Sequence, residues 1–387
     1  MPSVAAGIRT TQDLNTETRL GRDVLPAILK LEPDKTPLTV FMGKLRKAET
    51  ETPLFEWFED ERLPEQDTLA ASVASGDTSI TVSNYLYFRG GDVIILMDSG
   101  EQLLVTATPT SSAVTVTRAW GEVVAAAVAN GGNIRILTNA NQENALGRDI
   151  LSTVKTNVFN YVGIIRDPFG VSNTSKVTKS FAGMDFEEEA ANMLVQHAVK
   201  IERANLEGQR FQDLTPTNGP IRATRGLSRW ITTNVTTGVG DLTEAVWDNQ
   251  MRRVFRYGSK TKVALNAPIA TQAISGWAKS RLRPSDVMLS KYGMNVTQYF
   301  NPFGTLLLVN HNLFTNDDLN DFSSLAGTSL WVDLANVRMR HMKGRISVRN
   351  ENIQENDRDG RRDEYLTEQG LECGQQRTHG KMTGITG

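Results

Sequence analysis

A chain of 387 residues, 39% of them hydrophobic, can bury a sizeable core and has room for two or three domains. Its 42 Lys and Arg against 44 Asp and Glu give a formal net charge of −2, which excludes a bulk electrostatic case for wrapping nucleic acid or coating an anionic membrane and leaves only a local basic patch. The single cysteine, Cys373, excludes an intrachain disulfide and a thiolate metal cluster. The start, "MPSVAAGIRTTQDLN", has no signal-peptide core, and no run of about 18 apolar residues occurs, so a soluble protein made in a cytoplasm is expected, with no membrane partner.

Residues 1–49 are polar apart from "RDVLPAILKL" and "TPLTVFMGKLRK". Leu25, Ile28, Leu29, Leu31, Phe41 and Met42 are too few for a core of their own and more apolar than a disordered tail usually is, so this segment should lie on something else. Residues 77–137 change texture to short alternating runs, "TSITVS", "GDVIILM", "EQLLVTA", "AVTVT" and "NIRIL", separated by turn residues. That pattern predicts a small all-β module. The flanks, "TPLFEWFEDERLPE" and "TNVFNYVGIIRDPFGVS", read as extended strands, so the module is an insertion at the tip of an excursion covering 50–76 and 138–165.

A long helix follows over residues 185–211. Asp185 and Glu188 have the spacing of a capping box, and Glu187 to Glu189 place negative charge at the positive end of the dipole. Phe186, Ala190, Met193, Leu194, His197, Ala198, Ile201, Ala204 and Gly208 recur at spacings of three and four, whereas Asn192, Gln196, Lys200, Arg203 and Glu207 face the other way. A spine with one packed and one wet face is expected. Beyond it come a helix in "LTEAVWDNQMRRVFRYG", a strand "KVALN", a helix opening at Pro268, and the strands "MNVTQYF", "TLLLVNH" and "SLWVDL". From Arg345 the chain reads as extended strands around "NDRDGRRDE".

Chemistry-bearing motifs are scarce. His197, His311, His341 and His379 are scattered without zinc-like spacing, and His197 on the apolar stripe reads as a buried, satisfied imidazole. With Gly360 in the sixth position of a calcium-type loop, Leu366 falls where a glutamate is required, so a turn between strands is the better reading. There is no phosphate-cradling loop, dinucleotide fingerprint or nucleophile elbow. No catalytic residue, cofactor or metal is therefore expected.

In order and spacing, "TPLTVFMGKL", "FEWFED", "VTVTRAWG", "VFNYVGIIRDPFGVS", "NPFGTLLLVNHNLF" and "EYLTEQGLECGQQRTHGKMTGI" resemble the major capsid protein of tailed bacteriophages, the Hong Kong phage 97 type, in its subgroup with a β domain in the extended loop. The resemblance implies an α+β fold with an N-terminal arm (1–49), an extended loop (50–76 and 138–165) and the β insertion (77–137). It further implies a peripheral domain (166–225 and 340–387) holding the spine helix and an axial domain (226–339). The implied protein is a virion shell subunit forming hexamers and pentamers around double-stranded DNA that it does not read, with portal, decoration and scaffolding proteins as partners. Leu25, Ile28, Leu29, Phe41, Met42, Phe55, Trp57 and Phe58 are the expected inter-subunit contacts, because arm and loop cannot complete their own apolar burial. A nanocompartment shell of the same fold, an α/β enzyme with a carbohydrate-binding β module using "EWFEDE", and a tail or decoration protein stay open as alternatives.

Overall fold

The structure, a computed structural model, describes residues 36–39, 47–144, 147–177, 186–277, 282–284, 296–317 and 321–386. The chain divides into two units, Phe58–Asn157 and the remainder.

Phe58–Asn157 is built on one antiparallel six-stranded sheet, in the order Gln66–Thr68, Asn133–Asn139, Asp92–Leu96, Gln102–Val105, Ala113–Thr117, Ser79–Thr81. A bridge between Leu69 and Val82 links the two ends of that order. Alternation does what the sequence pattern requires: Val114 and Val116 point inward while Ala113, Thr115 and Thr117 face out. Ile80, Ile94, Leu96, Leu103, Val114 and Ile134 form the core. The sheet begins earlier than residue 77, because Gln66–Thr68 pairs with Asn133–Asn139. A polar strand of three residues has no hydrophobic alternation to announce it. The loop after Ala113–Thr117 is pinned by Arg118, whose guanidinium meets the buried Glu101 carboxylate at 2.7 Å and donates to the Ala126 carbonyl at 2.8 Å. Burial pushes Glu101 up, but Arg118 and the amides of Ala119 and Ala126 outweigh it and hold the carboxyl below its ordinary value.

In the second unit, Gly360–Cys373 is the central strand of a sheet. It pairs antiparallel with Gly163–Ser172, Val337–Met342 and Val348–Asn350, and Lys47–Thr50 runs parallel to Val337–Met342. The spine helix is Phe186–Glu207, about 33 Å of rod; Asp185, its expected cap, lies outside the described residues. Phe186, Ala190, His197, Ala198 and Ile201 are buried as the stripe predicts, and Glu202, Asn205 and Leu206 join them. The helix stops short of residue 211 because the backbone after Gly208 is needed elsewhere: the Gly226 amide donates to the Gly208 carbonyl at 2.8 Å.

A second, seven-stranded mixed sheet has the order Val235–Thr236, Gly380–Met382, Ser329–Val332, Thr261–Asn266, Gly304–Asn310, Val296–Asn301, Leu282–Pro284. The helix Glu244–Val254, capped by the Thr243 hydroxyl, packs Trp247 edge-on against Trp331 with centroids 4.6 Å apart. The resemblance implies that all of 340–387 goes with the spine helix, and the end of that segment also pairs into the second sheet. Gly380–Met382 is a strand of the second sheet, and Met382 and Ile385 share the Trp247 core. The tail is short and polar, and only tertiary pairing reveals where it ends.

The contact at Gly226 gives a test. A Cβ there would fall 2.6 Å from Gly208 N, whereas at Gly276, inside the helix Pro268–Trp277, it would meet nothing within 4 Å. Gly226→Ala should destabilise by about 1–3 kcal/mol, and Gly276→Ala should stabilise by about 0.5–1 kcal/mol. Urea unfolding monitored by circular dichroism measures both; equal signs would contradict this packing.

Candidate functional site

The spine helix is locked to its sheet through polar atoms that no solvent reaches. His197 Nδ1 donates to Asp167 Oδ2 at 2.6 Å and Nε2 accepts from the Thr367 hydroxyl at 2.7 Å, so the helix is tied to Gly163–Ser172 and Gly360–Cys373 at once. Lys200, one turn on, pairs with the other Asp167 oxygen. Burial alone would push Asp167 up; the hydrogen bonds and charges of Lys200 and His197 prevail and keep its carboxyl below the ordinary range. Burial pushes the His197 imidazole down against the opposing pull of Asp167. Beside this hub Phe169 stacks on Tyr365 at 5.1 Å and meets Phe186 at 5.3 Å. Arg349 clamps Glu187 at 3.1 Å and Asp363 at 3.1 Å. His197 is thus a structural imidazole, as its place on the stripe implied.

At the other end of the helix, Glu202 holds the described piece of the arm. Its fully buried carboxylate accepts the Leu38 amide at 2.8 Å, the Thr39 amide at 2.7 Å and the Thr39 hydroxyl, and His311 Nε2 lies 3.4 Å away. Leu38 is buried in the core shared by the helix end and the second sheet. Thr36–Thr39 therefore lies on its own chain, as an arm without a core must lie on something. Leu25, Ile28, Leu29, Phe41 and Met42, and Leu31 with them, fall outside the described residues. Sequence reasoning did not single out Glu202: a lone glutamate among polar neighbours carries no signal of being an acceptor for a segment 163 residues away.

The excursion starts as a two-stranded ribbon, Leu54–Glu59 with Thr156–Tyr161. Side chains alternate along Leu54–Glu59, and its two faces have different fates. Phe55, 5% exposed, sits over Gly370, where a Cβ would come within 2.8 Å of the ring. Trp57 stacks against Phe55 at 6.1 Å and packs on Trp230 at 5.5 Å. Phe55 and Trp57, expected at a contact between subunits, also find partners within their own chain. On the opposite parity Leu54 is 39% exposed and Phe58 69% exposed, and in the return segment Ile150 and Val154 are 95% and 89% exposed. A groove of about 610 Å³ opens at the ribbon's base between Pro53, Leu54, Phe55, Tyr161, Arg222 and Arg340.

Two groups with strongly depressed pKa values are enclosed by structure. Lys262 is fully buried and donates to the carbonyls of Val254, Tyr257 and Thr378 at 3.0, 2.8 and 2.5 Å; burial, opposed by Asp333, pushes it down to about 8. His379 accepts the Asp333 amide on Nδ1 at 3.1 Å and donates from Nε2 to the Gly374 carbonyl at 3.2 Å, and burial pushes it down to about 4. Cys373 is buried. The loop before Gly360 turns between strands. Among the described residues no group of His, Cys, Asp and Glu is placed to hold a metal ion, and no helix is long and apolar enough to cross a membrane.

A family model described as SU10 major capsid protein matches residues 7–386. No curated protein matches the sequence. Among solved structures the chain is similar to the cyanophage A-1(L) capsid asymmetric unit, with 12% identity over 91% of this chain and 93% of that chain and a TM-score of 0.47. It is also similar to a structure from Mycobacterium phage Patience, with 11% identity over 100% and 94% and a TM-score of 0.46. The holo-SrpI encapsulin complex from Synechococcus elongatus PCC 7942 aligns at 11% identity over 60% and 78%, with a TM-score of 0.42.

Two measurements check this geometry. Glu202→Ala leaves the Leu38 and Thr39 donors without their acceptor; we expect a loss of about 2–4 kcal/mol and faster hydrogen exchange at both amides, and unchanged exchange would remove the latch. An unfolded chain protonates His379 near pH 6.5, the folded one only near 4. The unfolded state therefore binds more protons between these values, and stability should fall as pH drops through that window, by about 3 kcal/mol from this group. Denaturant unfolding of dispersed subunits at pH 7, 5.5 and 4.5 reads it, with a flatter profile in His379→Asn; equal slopes in the two proteins would contradict it.

Proposed function

From the premise that this chain belongs to the SU10 major capsid protein family, we propose that identical copies close a phage shell by covering one another's exposed ribbon faces. The chain is a structural subunit of a phage capsid. In the proposed assembly the Hong Kong phage 97 layout applies: residues 1–49 are the arm, 50–76 and 138–165 the extended loop with its β insertion, and the two sheets mark the peripheral and axial domains. Hexamers and pentamers enclose double-stranded DNA without reading it, a portal and decoration or scaffolding proteins complete the particle, and assembly takes place in the host cytoplasm. The chain performs no catalysis in this reading, and the enclosed partners of Lys262 and His379 support that, since each perturbed group already serves backbone atoms.

The observation that carries the proposal is the split ribbon. One parity of Leu54–Glu59 is finished by Gly370 and Trp230 of the same chain, while Phe58, with Ile150 and Val154 on the return, exposes apolar surface that a solitary molecule would be expected to cover. Phe58 is therefore the contact residue we assign, and Leu25, Ile28, Leu29, Phe41 and Met42 of the arm are proposed to join it between subunits. Exposed apolar side chains of this kind, packed in a desolvated contact, are where binding energy concentrates.

Phe58→Ser should leave subunit stability within about 0.5 kcal/mol and raise the concentration needed for assembly by roughly tenfold or more, the equivalent of about 1.4 kcal/mol or more per contact. Phe55→Ala should do the reverse, costing the subunit about 3–5 kcal/mol. Thermal melts and sedimentation velocity separate the two effects. Unchanged assembly of Phe58→Ser would sink the assignment.

A further inference from the structure

The C-terminal end of the helix Glu244–Val254 carries more positive charge than its dipole calls for. Between Gln250 and Lys260 the chain holds Arg252, Arg253, Arg256 and Lys260 and no carboxylate, in a protein whose overall charge is close to neutral. All of these cations are exposed. With Phe255 and Phe303 they line an open groove of about 470 Å³. Its floor is fixed, because Phe255 is buried against Gly304, where a Cβ would fall 2.4 Å from the ring.

Helix capping does not account for the cluster. The buried Lys262 ammonium already satisfies the Val254 and Tyr257 carbonyls at the helix end. Arg253 is steered by the Thr233 carbonyl at 3.1 Å, which leaves it at the groove's edge. The carboxylate of the same helix, Asp248, one turn before Arg252, accepts from the Tyr299 hydroxyl at 3.2 Å and the Asn301 amide at 2.6 Å, and the groove lining itself holds no carboxylate. Arg252 and Arg256 are one helical turn apart, a spacing at which like charges repel. The crowding is felt inside the protein too, since Lys260 adds to the burial that depresses Lys262. A cationic groove with a rigid floor is suited to an anion supplied from outside.

We propose that this groove binds the phosphate backbone of the nucleic acid enclosed by the shell, without reading its sequence. The choice of occupant rests on the capsid reading above. Guanidinium forks match phosphate oxygens in pairs, and contacts confined to backbone charge carry no base information. A second copy's acidic strand suits the groove less well, because Glu59, Asp60 and Glu61 are already engaged in interactions of their own. A patch this small makes the binding weak and strongly dependent on salt, which a wall around mobile DNA can tolerate.

The test uses the full chain as dispersed subunits and a fluorescein-labelled duplex of mixed sequence, read by anisotropy between 50 and 200 mM NaCl. Neutralising about four phosphates predicts a roughly hundredfold fall in affinity across that range. In Arg252→Gln/Arg256→Gln the fall should shrink to about tenfold, with weaker binding at 50 mM. Lys260→Gln lies outside the helix and should reduce the log–log slope by about one, so it decides the matter if the double variant folds poorly by circular dichroism. No duplex binding at 50 mM, an unchanged slope in the variants, or poly-glutamate binding as tightly as the duplex would overturn the proposal, the last in favour of an acidic protein partner. Electron microscopy of the same preparations separates the two readings. Shells without duplex binding remove the groove's role alone, and duplex binding that the variants weaken, without shells from the wild-type chain, removes the capsid reading alone.

Discussion

The spine helix can serve as a rod only because buried polar atoms fix its rotation and its position along the sheet. An apolar stripe by itself lets a helix slide or roll by a fraction of a turn at small cost, since dispersion contacts are non-directional. The Asp167–His197–Thr367 chain of hydrogen bonds has one geometry, and it joins the helix to two neighbouring strands. Breaking one partner of a buried charged network costs about 3–5 kcal/mol, a large share of the margin that keeps a domain folded. The Arg349 clamp at the helix start and the Glu202 latch near its end add two further fixed points. A body held at three places along about 33 Å of helix cannot roll or slide without breaking at least one of them.

Rigidity on the inside is matched by incompleteness on the outside. Period-two alternation along Leu54–Glu59 is what allows both: Phe55 and Trp57 belong to the subunit's own core while Phe58 stays on the other face. In the proposed assembly, an excursion with both faces buried in its own chain would leave nothing to offer a neighbour. One with both faces exposed would have no defined direction. Gly370 is the quiet requirement here, because any side chain at that position in the central strand would collide with Phe55 and the Tyr161 carbonyl.

Much of this was legible in the residues. The three-and-four spacing from Phe186 to Ile201, the acidic first turn and the alternating runs of the insertion each have a local physical cause, and the structure shows the elements where those causes place them. "NPFG" between two β-rich runs likewise marks the turn that pairs Val296–Asn301 with Gly304–Asn310. What sequence could not reveal is what depends on distant partners. Nothing near Glu202 says that it will accept the arm, and nothing in "LFEWFE" says which parity turns inward. Nothing in "GKM" says that the tail returns to the second sheet. Each is decided by a partner more than a hundred residues away, Val235–Thr236 in the case of the tail. The basic run at the end of the helix Glu244–Val254 was visible as letters, but the groove it lines, and the engagement of Asp248 by Tyr299 and Asn301, are tertiary properties.

The central proposal is that a rigid helix-on-sheet body carries a ribbon whose exposed face is finished by its neighbours. Hydrogen–deuterium exchange on assembled particles compared with dispersed subunits measures this directly. The account predicts that protection on assembly is gained chiefly in Leu54–Glu59 and Thr156–Tyr161, while amides of Phe186–Glu207 are already slow in the free subunit and change little. Equal exchange of the ribbon in both states, or protection of the spine helix that appears only on assembly, would contradict it.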